Sequence, residues 1–184
     1  MGIIDRVGKV AVGLGKAVGL RAGDENLASH KLGLGAPSLE VTSTDFTSGT
    51  TLPRAATCEG EGRPPAIAWS EVPPRTRSVV LVVEDPDAPV PEPFVHWLVY
   101  GIPSTTTSLD GASTGREGKN SKLEPGFTPA EPPHGHGLHH YHFRVFALDD
   151  EVVLEPAAGR SALFDAMKNH VLAWGDLVGT YERS

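Results

Sequence analysis

A five-residue run, Val79-Val80-Leu81-Val82-Val83, is apolar at odd and even positions alike. Successive side chains of a strand point to opposite faces, so such a run predicts a central strand buried on both sides. Residues 95–102 repeat the pattern and stop at Gly101-Ile102-Pro103. Residues 141–148 form a third strand, with Tyr141, Phe143, Val145 and Ala147 on one face. Shorter β-type runs at 39–41, 50–52 and 66–69 precede these, and 177–181 is expected to close the sheet. Helical spacing occurs over 161–174, where Leu163, Met167 and Val171 form one stripe and Ser161 is placed to cap. The stretch 110–133 is rich in Gly, Ser, Thr and Pro without periodicity and reads as a long functional loop. Strands dominate and no βαβ alternation is seen, which predicts an all-β sandwich or a strand-rich α+β fold.

The N-terminus has a different pattern. Ile3, Ile4, Val7, Val10, Ala11, Leu14 and Val18 recur at helical spacing between Arg6, Lys9, Lys16 and Arg21. Gly8, Gly13, Gly15 and Gly19 interrupt it, each costing about 0.8–1 kcal/mol relative to Ala in a helix. A frayed docking or dimerisation arm is expected, with weak membrane-surface contact through residues 1–21 as the sharper alternative. Residues 1–37 are therefore assigned to an amphipathic extension and linker, and 38–184 to one domain.

Composition narrows the function. A net charge of −7 argues against nucleic acid, whose phosphates need a basic surface. The single cysteine, Cys58, excludes an internal disulfide and fits a reducing, cytoplasmic setting, where it is expected as a small buried strand residue. No run is long and apolar enough to span a bilayer, and no cleavage site follows the short N-terminal apolar run. The 21 Gly and 16 Pro favour turns over long helices.

Candidate chemistry gathers at strand ends. Asp85-Pro86-Asp87-Ala88-Pro89 puts two carboxylates in a proline-stiffened turn directly after the central strand. His96 opens the next strand, where a hairpin brings it near Asp85; a carboxylate there raises the imidazole's pKa and holds its tautomer. His139 and Tyr141 share a face at the mouth of a third strand, while His140 and His142 point the other way, toward solvent by default. Gly135 and Gly137 permit unusual φ and expose N–H groups to an anion. The histidines at 134, 136, 139, 140 and 142 lack the spacing of zinc motifs, so neither metal nor other cofactor is assigned. No nucleophile elbow is present and Cys58 lies in a separate run, so hydrolysis has no visible nucleophile.

These motifs carry a resemblance. The blocks Val83-Glu84-Asp85-Pro86-Asp87-Ala88-Pro89, His96-Trp97 and Pro132-Pro133-His134-Gly135-His136-Gly137-Leu138-His139-His140-Tyr141 resemble the phosphatidylethanolamine-binding protein family, in its bacterial Raf-kinase-inhibitor-like branch. The opening Thr57-Cys58-Glu59-Gly60-Glu61-Gly62 and closing Gly179-Thr180-Tyr181-Glu182-Arg183 extend it over residues 39–183. The resemblance implies a large antiparallel sheet packed on a smaller one, with peripheral helices. It also implies a pocket for phosphate-like anions and phosphoryl head groups, lined by Asp85, Asp87, His96, His139 and Tyr141 and shaped by Pro132 and Pro133. A homodimer is implied as well. His140 stands where the family usually has Arg, Glu131 where Gly or Cys is commoner, and residues 115–129 are hard to match.

The expected function is a non-catalytic binding protein that modulates a partner. The alternatives are a small hydrolase or lyase using the same residues, or a structural dimer with a vestigial pocket. Two unit charges about 5 Å apart at an effective dielectric near 20 interact by roughly 3 kcal/mol. A phosphate beside two ionised aspartates therefore needs a compensating proton, on His96, His139 or an aspartate, or a ligand ammonium. Binding is expected to strengthen at mildly acidic pH.

Overall fold

The computed structural model describes residues 23–111 and 114–184, so the amphipathic segment 1–21 lies outside the described residues. In chain order the elements are a short helix α1 (Ala28–Lys31), then β1 (Val41–Thr42), β2 (Ile67–Trp69), β3 (Ser78–Asp85) and β4 (Phe94–Pro103). They continue with β5 (Ser108–Leu109), β6 (Arg116–Glu117), β7 (His139–Leu148), α2 (Arg160–Met167) and β8 (Val171–Tyr181). Five strands form one sheet in the order β6-β4-β3-β7-β8, and β1-β2-β5 form the smaller one. All these pairings are antiparallel. The fold is mainly β, as the strand patterns predict.

The continuous apolar run of β3 has two partners, one on each face. Val79, Leu81 and Val83 join Trp97, Val99, Phe143 and Val145 in a core closed by Ile67, Trp69 and Leu109 of the small sheet. Val80 and Val82 point the other way, into a second core with Leu98, Phe146 and Leu148 under Leu163, Phe164 and Met167 of α2. Each buried Val side chain contributes roughly 1.5–3 kcal/mol, so β3 is the strand both cores depend on. Leu27 and Ala28 are buried and Leu32 and Leu34 pack against the second core, so part of the composition-defined linker is docked on the domain.

The expected helix over 161–174 is shorter than its spacing suggests. It ends at Met167, and Asn169 adopts φ 68°, a left-handed conformation that Asn tolerates. Residues 171–181 then alternate with period two, placing Ala173 and Leu177 in the inter-sheet core. A stripe at Leu163, Met167 and Val171 fits either period once the chain turns at Asn169. Ser161 is exposed within the first turn, and Gly159 holds the cap position without a side-chain bond. The stretch expected to lack structure contains β6, which extends the large sheet beside β4. Cys58 is half-buried in a turn rather than on a strand, its N–H donating to the Ala130 carbonyl.

Candidate functional site

Three strand ends meet at a cleft of about 290 Å³. Asp85 closes β3, His96 sits near the start of β4, and His139 and Tyr141 begin β7; all four line the cleft, with Pro132 and Pro133 at its rim. Alternation alone does not bring His96 there. Val83 pairs with Trp97 but Glu84 pairs with Val95, so His96 is the extra residue of a β-bulge. The bulge turns both His96 and Trp97 toward the inter-sheet side, and the His96 ring meets Tyr141 edge-on at 5.1 Å between centroids.

Asp85 is buried and both of its oxygens are engaged. Oδ1 accepts the Asp87 N–H at 2.8 Å, and Oδ2 accepts from His139 Nδ1 at 2.7 Å. His139 Nε2 is 2.8 Å from His136 Nδ1, so the carboxylate is linked through two imidazoles to the exposed turn. Burial pushes the Asp85 carboxyl above its ordinary range, with the His139 hydrogen bond opposing that rise.

His96 corrects an expectation. Its Nδ1 lies 2.8 Å from the Thr128 carbonyl oxygen, not against Asp85. A carbonyl only accepts, so Nδ1 carries the proton and Nε2 is left as a lone-pair acceptor. Burial lowers its pKa to about 4, so the ring is neutral in the physiological range instead of carrying a compensating proton. Tyr141, 2% exposed, has a phenol that burial and the Asp85 charge push up, so it remains a donor. Among the described residues its buried hydroxyl has no hydrogen-bond partner.

Two expected site residues lie elsewhere. Asp87 accepts from the His140 N–H at 2.8 Å and from His140 Nδ1 at 2.6 Å, tying the Asp-Pro turn to β7 from behind the cleft. Gly137 has the positive φ that glycine permits, 93°, but does not line the cavity. The turn beside it is not an open anion nest, because Gly135 N–H donates to Arg183 O and His136 N–H to Pro133 O.

Two charged side chains escaped the pattern reading. Lys122 and Glu131 line the cleft and pair with each other at 3.2 Å. Lys122 is held by a turn organised around buried Asn120, whose Oδ1 accepts the Lys122 N–H at 2.9 Å and whose Nδ2 donates to Gly126 O at 3.1 Å. The Asn-x-Lys signal inside an aperiodic loop was the only trace available.

The matching family model, phosphatidylethanolamine-binding protein, spans residues 42–182. The chain belongs to the phosphatidylethanolamine-binding protein family. A UPF0098 protein of Aquifex aeolicus is 39% identical over 157 residues, covering 81% of this chain and 91% of that protein. A UPF0098 protein of Pyrococcus horikoshii is 39% identical over 155 residues, covering 79% and 77% respectively. Among solved structures, a phosphatidylethanolamine-binding protein homolog from Chlamydia trachomatis superposes with TM-score 0.75 at 35% identity, covering 81% of this chain and 100% of that one. Escherichia coli YbcL gives TM-score 0.73 at 33% identity, covering 79% and 99%.

On the outer face of β7, this member of the family places His140, His142 and Arg144. They are not the solvated histidines expected of that face. His142 Nδ1 and Arg144 Nη2 both reach Asp176 Oδ2, at 2.8 and 3.0 Å. Burial would raise the Asp176 carboxyl, but the His142 hydrogen bond and the Arg144 charge hold it below the usual range. Arg144 Nη1 is 3.6 Å from Glu84, which also takes Arg160 Nε at 2.7 Å and the Ala28 N–H at 2.9 Å. A second cleft of about 600 Å³ lies over this network, bordered by Leu27, Trp174 and Val178. No helix among the described residues is long and apolar enough to cross a membrane.

Proposed function

We propose that this chain is a non-catalytic binding protein whose cleft at the end of β3 receives phosphate-type anions or phosphorylated head groups. The observation that carries this reading is the Tyr141 hydroxyl, a buried donor without a partner beside Asp85 and His96 in the wall of a concave site. A buried donor left unpaired costs about 1–3 kcal/mol, and an incoming oxyanion removes that penalty. Lys122 supplies a cation at the rim, and membership of the phosphatidylethanolamine-binding protein family supports the ligand class. Occupancy would change the charge of the rim, which is the surface a partner protein, or a second copy in a homodimer, would read.

The test is titration calorimetry of the full chain with inorganic phosphate and O-phosphoethanolamine, alongside an assay for phosphate release from a monoester. Saturable binding lost in Tyr141→Phe and His96→Phe variants that remain folded, without turnover, supports the proposal. Turnover that disappears with the same substitutions would replace it with a hydrolase.

A further inference from the structure

We infer that this chain binds a second copy of itself by seating the acidic segment 149–155, after β7, in a basic cleft beside α2, each copy serving the other. The contact does not depend on what fills the cleft at the end of β3. Among the described residues the two most exposed large apolar side chains are Leu123 and Val153, each 76% exposed. They lie in patches of opposite charge. Leu123 edges a cleft of about 630 Å³ between α1, the start of β4, the 119–123 turn and α2. The cations there are Lys31, Lys119, Lys168 and Arg160. Arg160 is taken up by Glu84 at 2.7 Å and Glu92 at 3.1 Å. The three lysines make no ion pair among the described residues, and Asp165 is the lining carboxylate left to oppose them. In a chain of net charge −7, three exposed lysines converging from separate segments reverse the local sign, and a concave surface focuses that potential.

Val153 projects from the other patch. Val152 is buried and Leu154 packs on the second core, so Val153 between them faces outward. Asp149, Asp150, Glu151 and Glu155 flank it in the chain. Asp149 meets His170 at 2.9 Å, and Arg77 reaches both Asp150 and Glu151 at 3.4 Å. Those pairs are open to solvent and worth little, and Glu155 has no ion pair among the described residues, so negative charge stays in excess.

A second copy is the occupant that both patches describe. Two copies at −7 repel overall, so a contact between them has to join unlike patches, and this chain carries one of each sign. An aliphatic side chain ringed by carboxylates then meets one ringed by ammoniums; both apolar groups are buried while the charges set the register. An anionic lipid surface would match the lysines alone and leave the Val153 patch exposed. Both patches border the second core, Val152 and Leu154 on the segment, Leu32 and Phe164 in the cleft. With both on the α2 side, a two-fold axis lets each segment enter the other's cleft, which closes the assembly at two copies.

Sedimentation equilibrium of the full chain at high protein concentration should give twice the 19.5 kDa chain mass. Reversing charge in the cleft (Lys119→Glu with Lys168→Glu) or on the segment (Glu151→Lys with Glu155→Lys) should weaken association by about a hundred-fold or more, leaving each variant monomeric. All four side chains are exposed, so both variants should fold. Mixing the two variants one to one should restore the dimer, because each altered patch then meets its opposite. A dimer that survives either double reversal uses another face and overturns the inference, as does a mixture that fails to associate. A monomer under all conditions overturns it too; if that monomer sediments with phosphatidylglycerol vesicles until Lys119 and Lys168 are reversed, the cleft belongs to a lipid surface. Cross-linking leaves the charges untouched and gives a second readout. Leu123→Cys mixed with Val153→Cys should form a disulfide-linked dimer on oxidation, and no yield above that of either variant alone would remove the contact.

Discussion

The two faces of β7 carry consecutive polar residues to opposite fates. His139 and Tyr141 turn inward to a cleft: His139 is held by Asp85 and His136, while the Tyr141 hydroxyl has no partner among the described residues and faces the same cavity as His96 of β4. One residue along, His140, His142 and Arg144 turn outward, and each meets a carboxylate: Asp87, Asp176 and, across the strand, Glu84. The chemistry of the side chains is similar on both faces; what differs is that every outer side chain has a carboxylate counterpart. This holds even though Arg144 Nη1 and Asp176 Oδ1 make no hydrogen bond among the described residues, whereas the Tyr141 hydroxyl has no counterpart there at all. Paired charges hold elements together, and unpaired groups are left for something else to satisfy. The outer face should therefore govern stability and the inner face affinity.

The largest effect expected from breaking this contrast is at Glu84. Its carboxylate is fully buried and joins β3 to Arg160 of α2, to Arg144 of β7 and to the Ala28 N–H. Removing one partner of a buried ion pair leaves the others uncompensated, typically at about 3–5 kcal/mol. Glu84→Ala should lower unfolding free energy by about that amount in a denaturant titration. A loss below about 1 kcal/mol would mean the network is solvated and the outer face is not structural.

Next in size is the pH dependence set by His96. Its folded-state pKa is about 4, below the ordinary 6.5, so the unfolded chain takes up the proton first as pH falls. The stability His96 contributes is fully present above pH 6.5 and is lost between 6.5 and 4, in total roughly 3 kcal/mol. Thermal unfolding across that window should show the decline, and His96→Gln should flatten it. A profile unchanged by the substitution would remove the neutral buried imidazole from the account.

Asp176 tests the outer face with the opposite sign of shift. Its carboxyl is held below the usual range, so its contribution is present above about pH 4 and lost as pH falls through the folded-state value. Asp176→Asn should cost about 1.5–3 kcal/mol at neutral pH and should remove part of the acid sensitivity. Losing stability at pH 7 while keeping the acid slope unchanged would assign that slope to other carboxylates.

Much of this was legible in the residues. The doubly apolar run at 79–83 specified a central strand, and the Asp85, His139, Tyr141 and Pro132-Pro133 blocks were readable as one site because each stood at a strand end. What escaped depended on geometry that periodicity does not encode. The bulge at His96 leaves no sequence mark, so the hairpin reading places the ring near Asp85 with a raised pKa, whereas its Nδ1 meets the Thr128 carbonyl and burial lowers the pKa. Asp87 is only two residues from Asp85 in the chain, yet the turn after β3 carries its carboxylate to His140 while Asp85 meets His139 on the other face of β7. The end of α2 was hidden because Val171 fits a helical stripe and a strand equally well until Asn169 is seen in the left-handed region.

The smallest expected effect sharpens the contrast most, because stability and affinity should move in opposite directions. Tyr141→Phe removes a hydroxyl that is buried without a partner while leaving the ring in the inter-sheet core beside His96. On the outer face, deleting a polar group breaks a pairing and destabilises. Here it deletes only an unsatisfied group, so stability should stay level or rise by up to about 1 kcal/mol. Phosphate affinity should fall by about ten-fold, since the donor that meets the oxyanion is gone. Parallel denaturant and calorimetric titrations of the one variant measure both. A variant that lost stability would show that the hydroxyl is already satisfied within the fold, and the division between the two faces of β7 would fail at the residue on which it rests.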